Sequence, residues 1–118
     1  KVSTLFLLIY GLDNGGTLYA FDMAYDSKRQ VVVLFGSYND DGIRDNDPLE
    51  PIEPSTWEYD GVGWEKVDTT DSPSARYGHA MAYDSNRGVV VLFGGADSNT
   101  DYGLNDTWEY DGTTWVQR

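Results

Sequence analysis

Met23-Ala24-Tyr25-Asp26-Ser27-Lys28-Arg29-Gln30-Val31-Val32-Val33-Leu34-Phe35-Gly36 is spelled a second time as Met81-Ala82-Tyr83-Asp84-Ser85-Asn86-Arg87-Gly88-Val89-Val90-Val91-Leu92-Phe93-Gly94. Only positions 28/86 and 30/88 differ, so the chain is a repeat. A second pair of words follows each copy in the same order. These are Thr56-Trp57-Glu58-Tyr59-Asp60-Gly61 with Trp64, and Thr107-Trp108-Glu109-Tyr110-Asp111-Gly112 with Trp115. Met81 lies 58 positions after Met23, whereas Trp108 lies 51 after Trp57. The unit is therefore about 50 residues, a period that belongs to propeller-type arrays. A seven-residue insertion in the first copy falls between Gly36 and Thr56, where a long acidic loop absorbs it.

Each word reads as β structure. Residues 31–35 and 89–93 are short, β-branched, continuously apolar runs bounded by glycine, which predicts central strands buried on both faces. The turn formers Asp26-Ser27-Lys28-Arg29 and Asp84-Ser85-Asn86-Arg87 precede them, and residues 18–25 and 75–83 can extend before those turns, so each pair reads as a hairpin. The aromatic strands 56–59 and 107–110 stop at Asp-Gly, a tight-turn signal, ahead of a last strand carrying Trp64 or Trp115. That gives four antiparallel strands per repeat. No helical apolar period extends over a dozen residues, and the predicted fold class is all-β.

These residues resemble the kelch repeat: an Arg76-x-Gly78-His79 opening, an apolar run ending in Gly94-Gly95, then Asp106-Thr107-Trp108-x-Tyr110-Asp111 and a closing Trp115. The first copy departs from the pattern. Leu18, Ala20 and Phe21 stand at the places of Arg76, Gly78 and His79, and Ser37 replaces the second glycine. The resemblance covers roughly residues 17–117 and implies one four-stranded blade of a β-propeller per repeat. Blade one spans 17–67, with a long acidic, proline-rich loop at 37–55, and blade two spans 75–117. Residues 1–16 lie outside it and read as a strand, 5–10, and a turn. That strand either completes a neighbouring blade's edge or echoes the apolar word of a preceding blade.

Two blades do not close a ring of about four to eight. A blade buries its faces on neighbours, so bare terminal faces imply company. Either several copies of the chain assemble, as a ring or an open filament, or further blades belong to a longer protein.

The composition narrows the partners. Twenty acidic against eight basic residues give a net charge of −12, which disfavours nucleic acid and anionic membranes. The longest apolar run, 5–10, is far shorter than the roughly 20 residues of a spanning helix. With no cysteine there is no disulfide, thiolate or thiolate-bound zinc. A copper-radical oxidase of the kind found on some kelch propellers would need a cysteine joined to tyrosine, so that activity is excluded.

The chemistry-bearing candidates are the loops after the apolar strands. Asp97, Asn99 and Asp101, spaced by two and followed by Asp106, place hard oxygen ligands suited to Ca2+. In the first copy, Asn39, Asp41, Gly42 and Asp45, with Ser37 ahead of them, approximate the calcium loops of integrin-type propellers. The same residue types are also turn formers on any acidic surface. The repeated Trp57, Trp64, Trp108 and Trp115, with Tyr59 and Tyr110, offer stacking surfaces for carbohydrate, but their placement in both copies marks them first as packing residues. His79 with Ser74 or Ser85 lacks a nucleophile-elbow context and reads as a structural residue of the blade opening. Carboxylate pairs for glycoside hydrolysis among residues 40–53 depend on separations that sequence does not give. The prolines at 48, 51 and 54 stiffen that loop into an arm.

The sequence thus points to a non-enzymatic module, secreted or at the cell surface, that makes protein contacts with copies of itself and carries calcium on its loops. The alternative is a fragment of a larger secreted carbohydrate-binding or carbohydrate-active kelch propeller protein.

Overall fold

The computed structural model describes residues 17–39 and 52–118. Residues 1–16 and most of the long acidic loop, including Asp41 and Asp45, lie outside the described residues. The described chain contains no helix and forms two antiparallel sheets. The first sheet runs in the order β1 (Thr17–Asp26), β2 (Val31–Asn39), β3 (Glu53–Tyr59) and β4 (Trp64–Val67). In the second, β5 (Arg76–Tyr77) and β6 (Ala80–Asp84) both pair with β7 (Val89–Asp97), which continues to β8 (Gly103–Tyr110) and β9 (Trp115–Gln117). The all-β expectation is met, with the apolar words β2 and β7 inside their sheets.

The fifth strand arises from a break. β5 and β6 together occupy the place of β1, parted at Gly78 and His79. In β1 the register slips at the same place, between Tyr19 and Asp22. Ala20 there has φ 52° and Gly78 has φ 69°, so both copies bend the same way although only one has glycine. A second bulge, between Phe93 and Gly95, has no counterpart in the β2–β3 ladder. Gly95 has φ 91°, and a Cβ on it would stand 2.6 Å from the carbonyl oxygen of Tyr77. Close approach of β5 to β7 therefore requires glycine, while Ser37 in the straighter β2 keeps its side chain.

The hairpin turns are built by aspartate. Asp26 Oδ1 accepts the backbone N–H groups of Lys28 and Arg29, and Asp84 Oδ1 those of Asn86 and Arg87. Asp60 and Asp111 do the same for Val62 and Gly63, and for Thr113 and Thr114. Asp-Gly here opens a four-residue connection, since Tyr59 pairs with Trp64 and Tyr110 with Trp115. The turn comes where the Asp-Gly signal puts it, and the aspartate side chain itself turns the backbone.

The two sheets pack face to face around Val33, Phe35, Val90, Leu92, Tyr110 and Trp115. Strand alternation puts Ala24, Val33, Phe35, Thr56 and Glu58 on the inner face of the first sheet. Met81, Tyr83, Val90, Leu92, Trp108, Tyr110 and Trp115 make the inner face of the second. The prediction that both apolar runs are buried on both faces holds for Val33, Leu34 and Phe35 of β2. It fails for β7, whose Phe93 is 53% exposed. Phe93 points away from the first sheet, onto a face that no described strand covers.

Candidate functional site

The site with the most chemistry is the seam between the sheets. Trp115 sets its ring edge-on to Phe35 with centroids 5.5 Å apart, and its Nε1–H donates to Thr56 Oγ1 at 3.0 Å. Tyr110 stacks on Trp115 at 5.0 Å and donates its hydroxyl to Glu58 at 2.9 Å. The Arg29 guanidinium joins Asp26 and Glu58, each at 2.7 Å, and lies over the Tyr110 ring. Burial, then the Glu58 carboxylate, pushes the Tyr110 hydroxyl far above its ordinary pKa, so it stays a donor. Burial alone would raise the pKa of Asp26, but hydrogen bonds from the Arg29 backbone and guanidinium outweigh it and hold the carboxyl ionised.

The other end of the seam carries the opening residues of the second copy. His79 Nε2 lies 3.0 Å from the carbonyl oxygen of Phe35, so Nε2 bears the proton and donates. Its Nδ1 is buried with no hydrogen-bond partner, and burial lowers its pKa, so the ring is neutral. The backbone N–H of Met81 donates to Asp22 at 2.9 Å, and Ser37 Oγ donates to the carbonyl of Arg76 at 3.0 Å. His79 therefore holds the sheets together. Ser74, one of its sequence-level partners in a triad, accepts instead from Arg76 at 3.2 Å.

Both halves of this seam recur on the outside of the molecule. Tyr59 and Trp64 stack at 5.2 Å on the outer face of the first sheet, as Tyr110 and Trp115 do inside. Met23 and Tyr25 flank them, and Tyr25 is 54% exposed. The outer face of the second sheet offers Phe93, Thr107 and Glu109 at the repeat positions of Phe35, Thr56 and Glu58. Its Asp84–Arg87–Glu109 ion pairs reproduce Asp26–Arg29–Glu58. Phe35 is fully covered and Phe93 half open, although each stands at the same place in its own repeat.

The proposed calcium ligands have separate engagements. Asp97 Oδ1 accepts the N–H groups of Asn99 and Thr100, and hydrogen bonds from Asn99 and Thr100 lower its pKa. Asn99 turns its amide to Ile52, accepting the N–H at 2.9 Å and donating to the carbonyl at 3.1 Å. Asp101, at φ 62°, accepts the hydroxyl of Tyr77. Asp106 is held bidentately by Arg76 at 2.6 and 2.9 Å and by Trp108 Nε1, and the guanidinium lowers its pKa to about 2. Asn39 ends β2, opposite Thr17. Among the described residues, no group of three His, Asp or Glu side chains is placed to hold a metal ion.

Two arrangements went unread in the sequence. One is the Asp-x-x-Arg clasp onto the glutamate of the Trp-Glu-Tyr strand, whose signal was its identity in both copies. The other is the Arg76–Asp106 pair. The first copy has Leu18 and Ser55 at those two places, so both partners are exchanged together and no buried charge is orphaned. No protein-family profile matches the chain, and no curated protein matches it either.

Proposed function

We propose that this chain is a non-enzymatic, kelch-type pair of blades, secreted or at the cell surface, whose work is done by its outer sheet faces, through which copies self-assemble into a ring or filament. The observation that carries this reading is the contrast between Phe35, sealed beneath Trp115 and His79, and Phe93, half exposed at the matching position. An open phenylalanine beside an ordered ion-pair clasp is a surface prepared for contact. Light scattering of the 13.2 kDa chain tests it. A defined multiple of that mass is expected, and a folded monomer at all concentrations overturns the reading.

Calcium is part of the proposal as a stabiliser of the loops, supported by the net charge of −12 and by the half-buried Asp97 and exposed Asp101. Asp41 and Asp45 would contribute from the other loop. The fit is partial, because Asn99 and Asp106 already serve Ile52 and Arg76.

The second reading is a fragment of a carbohydrate-binding propeller. It is favoured by a polar cleft of about 190 Å³ lined by Glu53, Thr56, Lys66, Asp68, Thr69 and Ser72, among others. That volume is below the roughly 300 Å³ at which small-molecule sites begin, so it would hold little more than one sugar ring. Titration with neutral monosaccharides followed by tryptophan fluorescence separates the readings.

A further inference from the structure

We infer that copies of this chain meet first as a two-fold pair, the outer face of the second sheet of one copy lying on the same face of the other, with Phe93 of each seated over Ala80 and Ala82 of its partner. The inference rests on the self-assembly reading and adds to it which face is shared and with what symmetry. The outer face of the first sheet is already closed at its centre, where Leu34 and its cross-strand neighbour Trp57 are 0% and 5% exposed. The outer face of the second sheet is open. Phe93 is 53% exposed and Val116 42%, and Ala80 and Ala82 are exposed on the same face. Copies that meet through outer faces therefore meet through this one, and a face paired with its own kind makes a two-fold contact.

The face is self-complementary in shape. Ala80 pairs with Phe93 and Ala82 with Val91 across the β6–β7 ladder, so one large ring projects next to two methyl side chains. A two-fold axis passing between them lays each ring in the hollow of the other copy. The charges suit the contact as well. Arg87 is bonded to Asp84 and Glu109, and Arg118 to Glu109, so two bases here answer two acids. The other eighteen acidic and six basic residues of the chain lie elsewhere. Two copies meeting through this face therefore bring no net charge together, although each chain carries −12. Glu109, 7% exposed and bonded at both oxygens, needs nothing from the partner. A two-fold contact closes on itself, so a ring or filament is built from such pairs through a second contact.

Light scattering over a concentration series tests the pair. The unaltered chain is expected to pass from 13.2 kDa to twice that mass before any larger species forms. Phe93→Glu and Ala80→Arg are each expected to move that step about tenfold higher in concentration or beyond. Tyr25→Glu, on the outer face of the first sheet, is expected to leave it in place. Mixed in equal amounts, Phe93→Glu and Ala80→Arg are expected to pair one to one. The two-fold axis sets the introduced glutamate against the introduced arginine at one contact and the native Phe93 over the native Ala80 at the other. A mixture that stays monomeric, or a step unmoved by Phe93→Glu, overturns the pair and leaves self-assembly standing. So does a step removed by Tyr25→Glu, which would put the first-sheet face in the contact, and so does growth to larger species with no pair on the way. An unaltered chain that never associates removes both readings. Circular dichroism checks each fold, and Val116→Glu replaces either single variant that fails it.

Discussion

At the residue scale, the repeat supplies its own controls. Gln30 adopts φ 58° at the turn position where the second copy has Gly88 at φ 68°. A non-glycine residue pays roughly 1–2 kcal/mol for left-handed backbone, partly offset by glycine's larger entropy in the unfolded chain. Gln30→Gly is therefore expected to stabilise by about 0.5–1 kcal/mol, read as a higher urea midpoint at unchanged slope. Gly95→Ser would copy the residue found in the first repeat, yet it is expected to lower stability by about 2 kcal/mol or more, since its Cβ meets the Tyr77 carbonyl at 2.6 Å. An unchanged midpoint for Gly95→Ser would show that β5 is free to move aside. The need for glycine at 94 and 95 was legible as a word in the sequence. The reason was not, because the obstructing carbonyl belongs to a strand 18 residues earlier.

At the element scale, hairpins were legible and the seam was not. Apolar runs, turn aspartates and aromatic alternation are local signals, and they placed β2, β3, β7 and β8 within a few residues. The contacts that join the sheets link positions far apart in the chain, 44 to 59 residues in the cases of His79 to Phe35, Tyr110 to Glu58 and Trp115 to Thr56. No periodicity reports such pairs, because each joins one repeat to the other. The calcium loop was ambiguous for a related reason, because oxygen side chains at alternate positions serve a turn's own N–H groups as readily as an ion. The clasp yields a prediction. Arg29→Met should cost about 2 kcal/mol in thermal or urea unfolding, since Arg29 bridges two carboxylates and covers Tyr110 across the seam. Arg87→Met, at a side chain more than half exposed in the single molecule, should cost less. Equal losses would mean that the seam gains nothing from Arg29.

At the scale of the whole molecule, acid should act in two steps. The folded pKa of His79 lies below 6.5, so the unfolded chain takes up its proton first; stability is fully present above pH 6.5 and declines as pH falls below it. The groups facing the ring are Asp22, which opposes this, and Arg76, which reinforces it. His79→Gln should remove the step. The second comes from Asp106, whose carboxyl falls from 3.8 to about 2, and its contribution of up to about 2 kcal/mol is lost between those values. Melting curves from pH 8 to pH 2 read both. Added salt should strengthen assembly, because at about 0.15 M the Debye length of about 8 Å screens the mutual repulsion of chains of charge −12. For calcium, chelator should lower the melting temperature and calcium restore it, and superimposable curves would remove the metal. Asn99 leaves one more mark on the behaviour of the whole. Its side chain touches both the N–H and the carbonyl of Ile52, as a peptide unit of an adjoining strand would. Deamidation to aspartate, the slow chemistry of ageing protein stocks, would swap a donor for a lone pair aimed at that carbonyl. An old preparation should then loosen first where the two repeats are tacked together at their rim, long before either sheet gives way.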